Sequence, residues 1–372
     1  MKKENEEIDV LYLGRYSEGN TLSGPEKTAV RIFSEHTKIF KSCFIQYFFD
    51  GNKYGLWEKF FGRKIIKTAG SSEIITLGLV KMIAELFKRK PWIIHIITFE
   101  RFAVLGLICK LFFNTKIIYS VHGIIAYEDN ELKKINWFLK LKDKICERLF
   151  FKYSDTLVFY SENSIDIAEK YFKIDESKAV ILSGGIDAVF NNKNKTASKS
   201  GCLKIIFHID NVLRNSASDF LKECISKLDY SAELDVIGTK DKSFTEINTK
   251  VQVKYYRRLD AQELAKLYEK NDIFLSLSEY DTFSISSIEA MTSGLVPIVT
   301  GETGMSRYIE EGVNGFTVKY GDTDTLLHIL NKLNSERAEI KNISRSAKEI
   351  YEILSWHNVY DTYRNIYISL TK

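Results

Sequence analysis

The chain has 372 residues, about twice a typical domain, so two domains are expected. Hydrophobic residues make up 45%, too many for a disordered chain, and 20 Gly with 3 Pro exclude collagen-like or proline-rich structure. The net charge is +4, but residues 51–150 hold 18 Lys+Arg against 9 Asp+Glu; that surplus of +9 leaves −5 for the rest and points to an anionic partner for the segment, or to a solvated basic face.

The charged N-terminus leads straight into an apolar run, Val10–Leu13, so a first strand and no secretory leader are expected. Pro25–His36 carries apolar residues at helical spacing, Phe44–Phe49 reads as a strand, and Glu73–Phe87 as a second helix. The most apolar stretch, Trp92–Phe113, is interrupted by His95, Glu100, Arg101 and Lys110, so a buried strand (Ile93–Thr98) followed by a helix fits better than a membrane span. Next come a strand at Lys116–Val121, a helix at Asn136–Phe151, and strands at Thr156–Tyr160 and Ala179–Leu182. Residues 191–201 are polar, lack periodicity and read as a linker. Alternation then resumes with strands at Leu203–Ile209, Glu233–Ile237, Ile273–Ser276 and Val296–Val299, and helices near Ser218–Lys227, Ala261–Glu269 and Ser286–Met291. The five cysteines are scattered, with no C-x-x-C pair, which argues against zinc and a disulfide framework and fits a reducing cytoplasm.

Strand–helix alternation with short connections implies parallel sheets covered on both faces, hence two doubly wound α/β domains. Ligands in such sheets bind at the carboxyl ends of strands, and a cleft between the domains is the default site.

The most informative segment is Ile273–Thr300: a buried strand, a polar loop with Asp281, a short helix, a Gly turn and a second strand. Ser284, Ser286 and Ser287 fall at the helix start, where unpaired amides and the helix dipole favour an anion. Glu289 lies between Ile288 and Ala290 in an apolar helix, which packing alone does not explain.

This segment resembles the signature of glycosyltransferase family 4, retaining enzymes with the GT-B fold: Ser-x-x-Glu-Gly-Phe-Gly-x-x-x-x-Glu-Ala-Met-Ala-x-Gly-x-Pro-Val. Asp281 and Glu289 keep the spacing of the two acids, and Phe283, Ala290, Met291 and Gly294 match, with Pro297 one place late. Tyr160-Ser-Glu162, Ser183-Gly-Gly-Ile-Asp187, Tyr255–Leu264, Gly301–Phe316 and Leu354-Ser-Trp-His357 resemble further family motifs in the same order. The resemblance implies an acceptor-side domain over residues 1–190 and a donor domain over 202–354, two Rossmann-like domains facing across a cleft, with a last helix at 355–372 crossing back to the first. It implies a metal-independent transferase with no cofactor, moving a sugar from a nucleoside-diphosphate sugar to a glycan, lipid-linked or small-molecule acceptor. In that scheme Glu289 holds the ribose hydroxyls. Asp281 and the backbone at Phe283, Ser284 and Ile285 hold sugar and phosphate beside Ser286 and Ser287. His122 contacts the sugar, and Gly24, in Ser23-Gly-Pro25, gives the donor phosphates close backbone approach. Arg258 matches the Arg of the family's Gly-Arg element.

One departure stands out. The family places an Arg and a Lys after the first strand of the donor domain to clamp the diphosphate, whereas an ungapped match puts Asp210 and Asn215 there. Arg214 is the only cation nearby. An altered clamp fits either an enzyme with rearranged contacts or an inactive relative serving as a partner subunit or glycan-binding module. Nucleic acid is a weaker partner, since the basic segment lacks a binding motif. Within that segment, Trp57–Lys67 and Asn136–Ile145 interleave Lys and Arg with large apolar side chains. Both read either as contacts to an anionic membrane at the cytoplasmic face or as helices with apolar sides in the core.

Overall fold

The computed structural model describes residues 9–17, 23–48, 54–69, 72–132, 136–191, 201–209, 215–238 and 242–371. Most of the expected linker, together with Asp210 and Arg214, lies outside these residues. The chain divides into two compact units, Met1–Leu182 with Val359–Lys372, and Ser183–Asn358.

The first unit is built on an eight-stranded sheet in the order β3-β4-β2-β1-β5-β6-β7-β8. Its strands are β1 (Asp9–Leu13), β2 (Lys41–Tyr47), β3 (Arg63–Ala69), β4 (Ser72–Leu77), β5 (Ile93–Ile96), β6 (Lys116–Val121), β7 (Thr156–Phe159) and β8 (Ala179–Ile181). All pairings are parallel except β3 with β4. The helices are α1 (Gly24–His36), α2 (Leu56–Phe61), α3 (Leu79–Arg89), α4 (Leu107–Phe113), the single turn α5 (Ile125–Tyr127), α6 (Trp137–Tyr153) and α7 (Glu162–Glu169). Central strands are mostly apolar, as a sheet covered on both faces requires: Val10, Leu11 and Leu13 of β1 are fully buried.

Two elements differ from the sequence reading. Glu73–Leu77, read as the start of a helix, belongs to β4, and Arg63–Ala69 is the antiparallel edge strand beside it. Ile74, Ile75 and Leu77 are apolar at spacings compatible with either period, and pairing with β2 on one side and β3 on the other decides for the strand.

The second unit carries a six-stranded, all-parallel sheet in the order β11-β10-β9-β12-β13-β14. Its strands are β9 (Leu203–His208), β10 (Ala232–Ile237), β11 (Val251–Tyr256), β12 (Ile273–Ser276), β13 (Val296–Thr300) and β14 (Phe316–Val318). Around it lie α8 (Asn215–Ser226), α9 (Ala261–Tyr268), α10 (Ile285–Thr292), α11 (Thr323–Ser335), α12 (Arg337–Lys348) and α13 (Ile350–Leu354). A capping box starts α9: the Glu263 amide donates to the Asp260 carboxylate at 2.9 Å and the Asp260 amide donates back to Glu263 at 3.1 Å. The last helix, α14 (Trp356–Leu370), joins the first unit from Val359 onward.

The unit boundary falls at Leu182, earlier than residue 190. The reason is Phe190, which is fully buried 6.0 Å from the Tyr268 ring, its carbonyl accepting from the Ser293 hydroxyl. Gly185 is needed in the same stretch, because a Cβ there would strike the Trp356 indole. All five cysteines are free thiols. Among the described residues no helix is long and apolar enough to cross a membrane.

Candidate functional site

In the second unit, β9 neighbours both β10 and β12, so the strand order reverses beside it. At such a switch point the connections leave in opposite directions and open a crevice at the carboxyl ends. A narrow polar crevice lies there, lined by His208 at the end of β9 and Ile209 after it, Ser218 of α8, Ser276 and Ser278 at the end of β12, and Asp281, Ser284 and Ser286. The β9–α8 connection, with Arg214, borders it in sequence and lies outside the described residues.

Asp281 shapes the loop. One carboxylate oxygen accepts from the amides of Phe283 and Ser284, each at 3.1 Å, and its carbonyl accepts from Gly304 at 2.9 Å. The Asp281–Thr303 bridge thereby joins the motif loop to the 301–304 loop. Two amides assigned from the family pattern to the donor thus already have an acceptor within the chain. The orphan donors of the helix start fall to Ile285 and Ser286, the first residues of α10.

Ser284 stands where the family pattern has Gly, and the reason is visible in its backbone. It sits at φ +66°, a left-handed conformation that strains any residue with a Cβ. Its hydroxyl pairs with Ser287 at 2.7 Å and Ser276 at 3.2 Å, which offsets that strain. Ser287 is consequently fully buried and turned into this network, while Ser286 faces the crevice. Phe283 packs against Gly184, where a Cβ would approach its ring to 2.7 Å, and meets Tyr308 edge-on at 6.1 Å. Glu289 is 3% exposed in the middle of α10 and is not among the residues lining the crevice. Arg258 is exposed just after β11, the edge strand, apart from the crevice walls. His208, stacked on Tyr268 at 5.8 Å with its Nε2 3.3 Å from that hydroxyl, was not singled out from the sequence. Only the strand order, which brings β9 beside β12, reveals it.

In the first unit an open pocket of about 310 Å³ gathers Arg15, Ser23, Pro25, Glu26, Thr98, Glu100, His122 and Glu128 at the carboxyl ends of β1, β5 and β6. Gly24 opens α1, with Pro25 as its second residue. Glu26 fixes this turn by accepting from the Ser23 amide at 2.9 Å and the Ser17 hydroxyl at 2.9 Å. Burial pushes the Glu100 carboxyl up to about 7, although Arg15 lies 3.3 Å away. Burial also lowers the His122 imidazole to about 4, so it is neutral at pH 7. Its ring stacks on Tyr160 at 4.6 Å, with Nε2 3.3 Å from the Tyr160 hydroxyl, and it also hydrogen-bonds the Ile97 carbonyl. A carbonyl can only accept, so one ring N–H is directed to the chain itself.

Behind His122 runs a buried polar chain. Tyr160 bonds Tyr363 of α14 at 2.8 Å, and His95 bonds Tyr367 at 2.6 Å and Ser120 at 2.8 Å. Among the described residues no cluster of three or more His, Cys, Asp or Glu side chains is placed to hold a metal ion.

The sequence profile described as Glycosyltransferase Family 4 matches residues 61–190, and that described as Glycosyl transferases group 1 matches residues 191–350. An uncharacterised glycosyltransferase of Methanocaldococcus jannaschii is 24% identical over 173 residues, which is 44% of this chain and 44% of that protein. The matched part is therefore less than half of that relative's length. Sucrose-phosphate synthase of Thermosynechococcus elongatus superposes with a TM-score of 0.77 at 13% identity, covering 98% of this chain and 99% of its own. The HepE protein of Anabaena, solved in complex with UDP-glucose, superposes at 0.70 with 15% identity, covering 97% of this chain and 100% of its own. With two Rossmann-like units, two profiles that run from residue 61 to residue 350, and the ordered motifs around Asp281 and Glu289, the chain belongs to glycosyltransferase family 4 and has the GT-B fold.

Proposed function

We propose that the chain is a retaining, metal-independent glycosyltransferase that moves a sugar from a nucleoside-diphosphate sugar to a glycan, lipid-linked or small-molecule acceptor. The observation that carries this reading is the polar crevice at the switch point beside β9, into which Asp281, Ser284 and Ser286 of the family motif converge. The UDP-glucose bound to HepE supports a nucleotide sugar as donor. In this reading Glu289 takes the ribose hydroxyls, the start of α10 at Ile285 and Ser286 takes a phosphate, and His122 lines the sugar's side of the first unit. A leaving diphosphate gathers negative charge as the glycosidic bond breaks, so preorganised amides and a cation stabilise that transition state. The acceptor partner is met by the first unit, whose basic segment, residues 51–150, contacts an anionic membrane from the cytoplasmic side.

The test is a panel of nucleotide sugars screened by thermal shift, followed by donor hydrolysis and transfer with purified protein. A ligand bound only by the native state raises the melting temperature. No shift with any nucleotide sugar would overturn the reading. Arg214 is the proposed diphosphate cation, so Arg214→Ala is expected to weaken UDP more than uridine. Equal weakening of both ligands, or of neither, removes Arg214 from that role.

A second reading, a degraded relative acting as a partner subunit or glycan-binding module, is favoured by two observations. The Asp281 carboxylate already bonds the Phe283 and Ser284 amides, and Asp210 and Asn215 stand where cations are usual. Donor binding without hydrolysis or transfer is the outcome this reading expects.

A further inference from the structure

Helix α2 buries none of its six residues, although four of them are Leu56, Trp57, Phe60 and Phe61. Leu56 is 76% exposed and Trp57 72%. The first half of α6 behaves the same way: Trp137 is 72% exposed and Phe138 49%. These side chains are therefore not in the core, and apolar exposure of this extent marks an interaction surface.

The fold places both groups at one end of the sheet. Gly78, immediately after β4, is packed against the backbone of Phe60, where a Cβ would come within 2.5 Å, so α2 lies over the carboxyl end of β4. Glu147 of α6 accepts from the amides of Ile125 and Ala126 at 2.8 and 2.9 Å, just beyond the carboxyl end of β6. The turns of α6 that precede Glu147 thus project past the strand ends by up to about 15 Å, at 1.5 Å per residue. That is the end where the pocket of Arg15, Glu100 and His122 opens. Cations interleave with the apolar groups. Residues 56–67 carry Lys59, Arg63, Lys64 and Lys67 against Glu58, and residues 137–145 carry Lys140, Lys142 and Lys144 against Asp143. Asp143 is itself held by Arg101. The Lys142 ammonium lies 4.2 Å from the Phe138 ring centre, so charge and aromatic surface share one patch.

We propose that α2 and the projecting start of α6 form a two-pronged docking surface for an anionic lipid bilayer, with the aromatic tips inserted at headgroup depth and the lysines on the phosphates. Docked this way, the carboxyl end of the sheet faces the lipid, and a lipid-linked acceptor reaches the pocket without leaving the membrane. This identifies the partner within the function proposed above and rests on that reading for the acceptor alone. A second apolar patch, with Leu111 79% and Phe112 65% exposed, ends α4 just before β6 begins, at the opposite, amino end of the strands, so one flat bilayer distinguishes the two.

The experiment is co-sedimentation of the full chain with phosphatidylglycerol and phosphatidylcholine vesicles at low and high salt. Binding to phosphatidylglycerol that declines with salt is expected. Combining Leu56→Ser, Trp57→Ser, Trp137→Ser and Phe138→Ser is expected to weaken it about tenfold or more, as is changing Lys59, Arg63, Lys64 and Lys67 to Gln. Leu111→Ser with Phe112→Ser is expected to leave it unchanged. Because the substituted side chains are exposed, melting temperatures should hold, which separates lost docking from lost folding. No binding at low salt, equal binding to both vesicles, or loss only in the Leu111/Phe112 variant overturns the proposal. Thermal shift with nucleotide sugars on the same variants separates the two readings: intact donor binding with no vesicle binding sinks only the docking surface, and the converse sinks only the donor assignment.

Discussion

Glu289→Gln is expected to abolish nucleotide-sugar binding or to weaken it about tenfold or more, because a charged acceptor facing hydroxyl donors contributes roughly 1.5–3 kcal/mol. The carboxylate sits 3% exposed in an eight-residue helix whose neighbours Ile288, Ala290 and Met291 are fully buried. Keeping an ionised group there is costly unless polar partners meet it. The amide has nearly the same shape, so the helix should persist while the charge is lost. Calorimetric titration with the donor, beside a melting curve, makes the comparison. Unchanged affinity with the fold intact would remove Glu289 from the donor site, while a collapsed melting temperature would identify it as a structural group.

The stability of the first unit is expected to peak near pH 6.5 and to fall on both sides. Burial lowers His95 to about 3 and His122 to about 4, and takes His36 well below its ordinary value of 6.5. His36 meets Tyr12, Phe40, Tyr360 and Tyr367, and both of its ring nitrogens lack a hydrogen-bond partner among the described residues. Below pH 6.5 the unfolded chain protonates these imidazoles and the folded chain does not, so stability is lost as pH falls toward the folded values. Each proton taken up only by the unfolded state is worth about 1.4 kcal/mol per pH unit.

The alkaline limb has the opposite origin. Burial raises Glu147 to about 8 and Glu100 to about 7, from 4.5. Their protonated forms are favoured in the folded state, so stability falls as pH rises toward those values. Between pH 4.5 and 6.5 the three histidines outweigh the two carboxyls by one proton, which makes the slope gentle there and steeper below 4.5. Chemical denaturation across pH tests this. His36→Leu should flatten the acid limb and Glu147→Gln the alkaline one. A profile that both substitutions leave unchanged would show that these groups are not what sets it.

Much of the architecture was legible because periodicity and burial coincide. Strands such as Lys116–Val121 and Ile273–Ser276 appear at the bounds their apolar runs suggest, since nothing competes with pairing in the middle of a parallel sheet. Glu73–Leu77 was misread as helix because short apolar runs fit both periods and only the partner strand decides. The motif residues were found from spacing, yet spacing did not say which of them face the crevice. Ser286 does, whereas Ser287 is turned inward by a 2.7 Å bond to Ser284.

The amino-acid sequence by itself determined the two α/β units, the family and the loop that carries Asp281, because local periodicity, Gly and Pro positions and ordered motifs are properties of the chain read in one dimension. Only the tertiary structure decided the rest. Long-range strand order places His208 beside the motif, and a three-dimensional turn makes Asp281 the acceptor for two amides assigned to the donor. Burial turns His36, His95 and His122 into neutral imidazoles, since desolvation depends on what the fold packs around a ring and not on its neighbours in sequence. Whether Trp57 and Trp137 belong to a core or to a surface was likewise open in the sequence. It was decided by where their helices stand relative to the ends of the sheet.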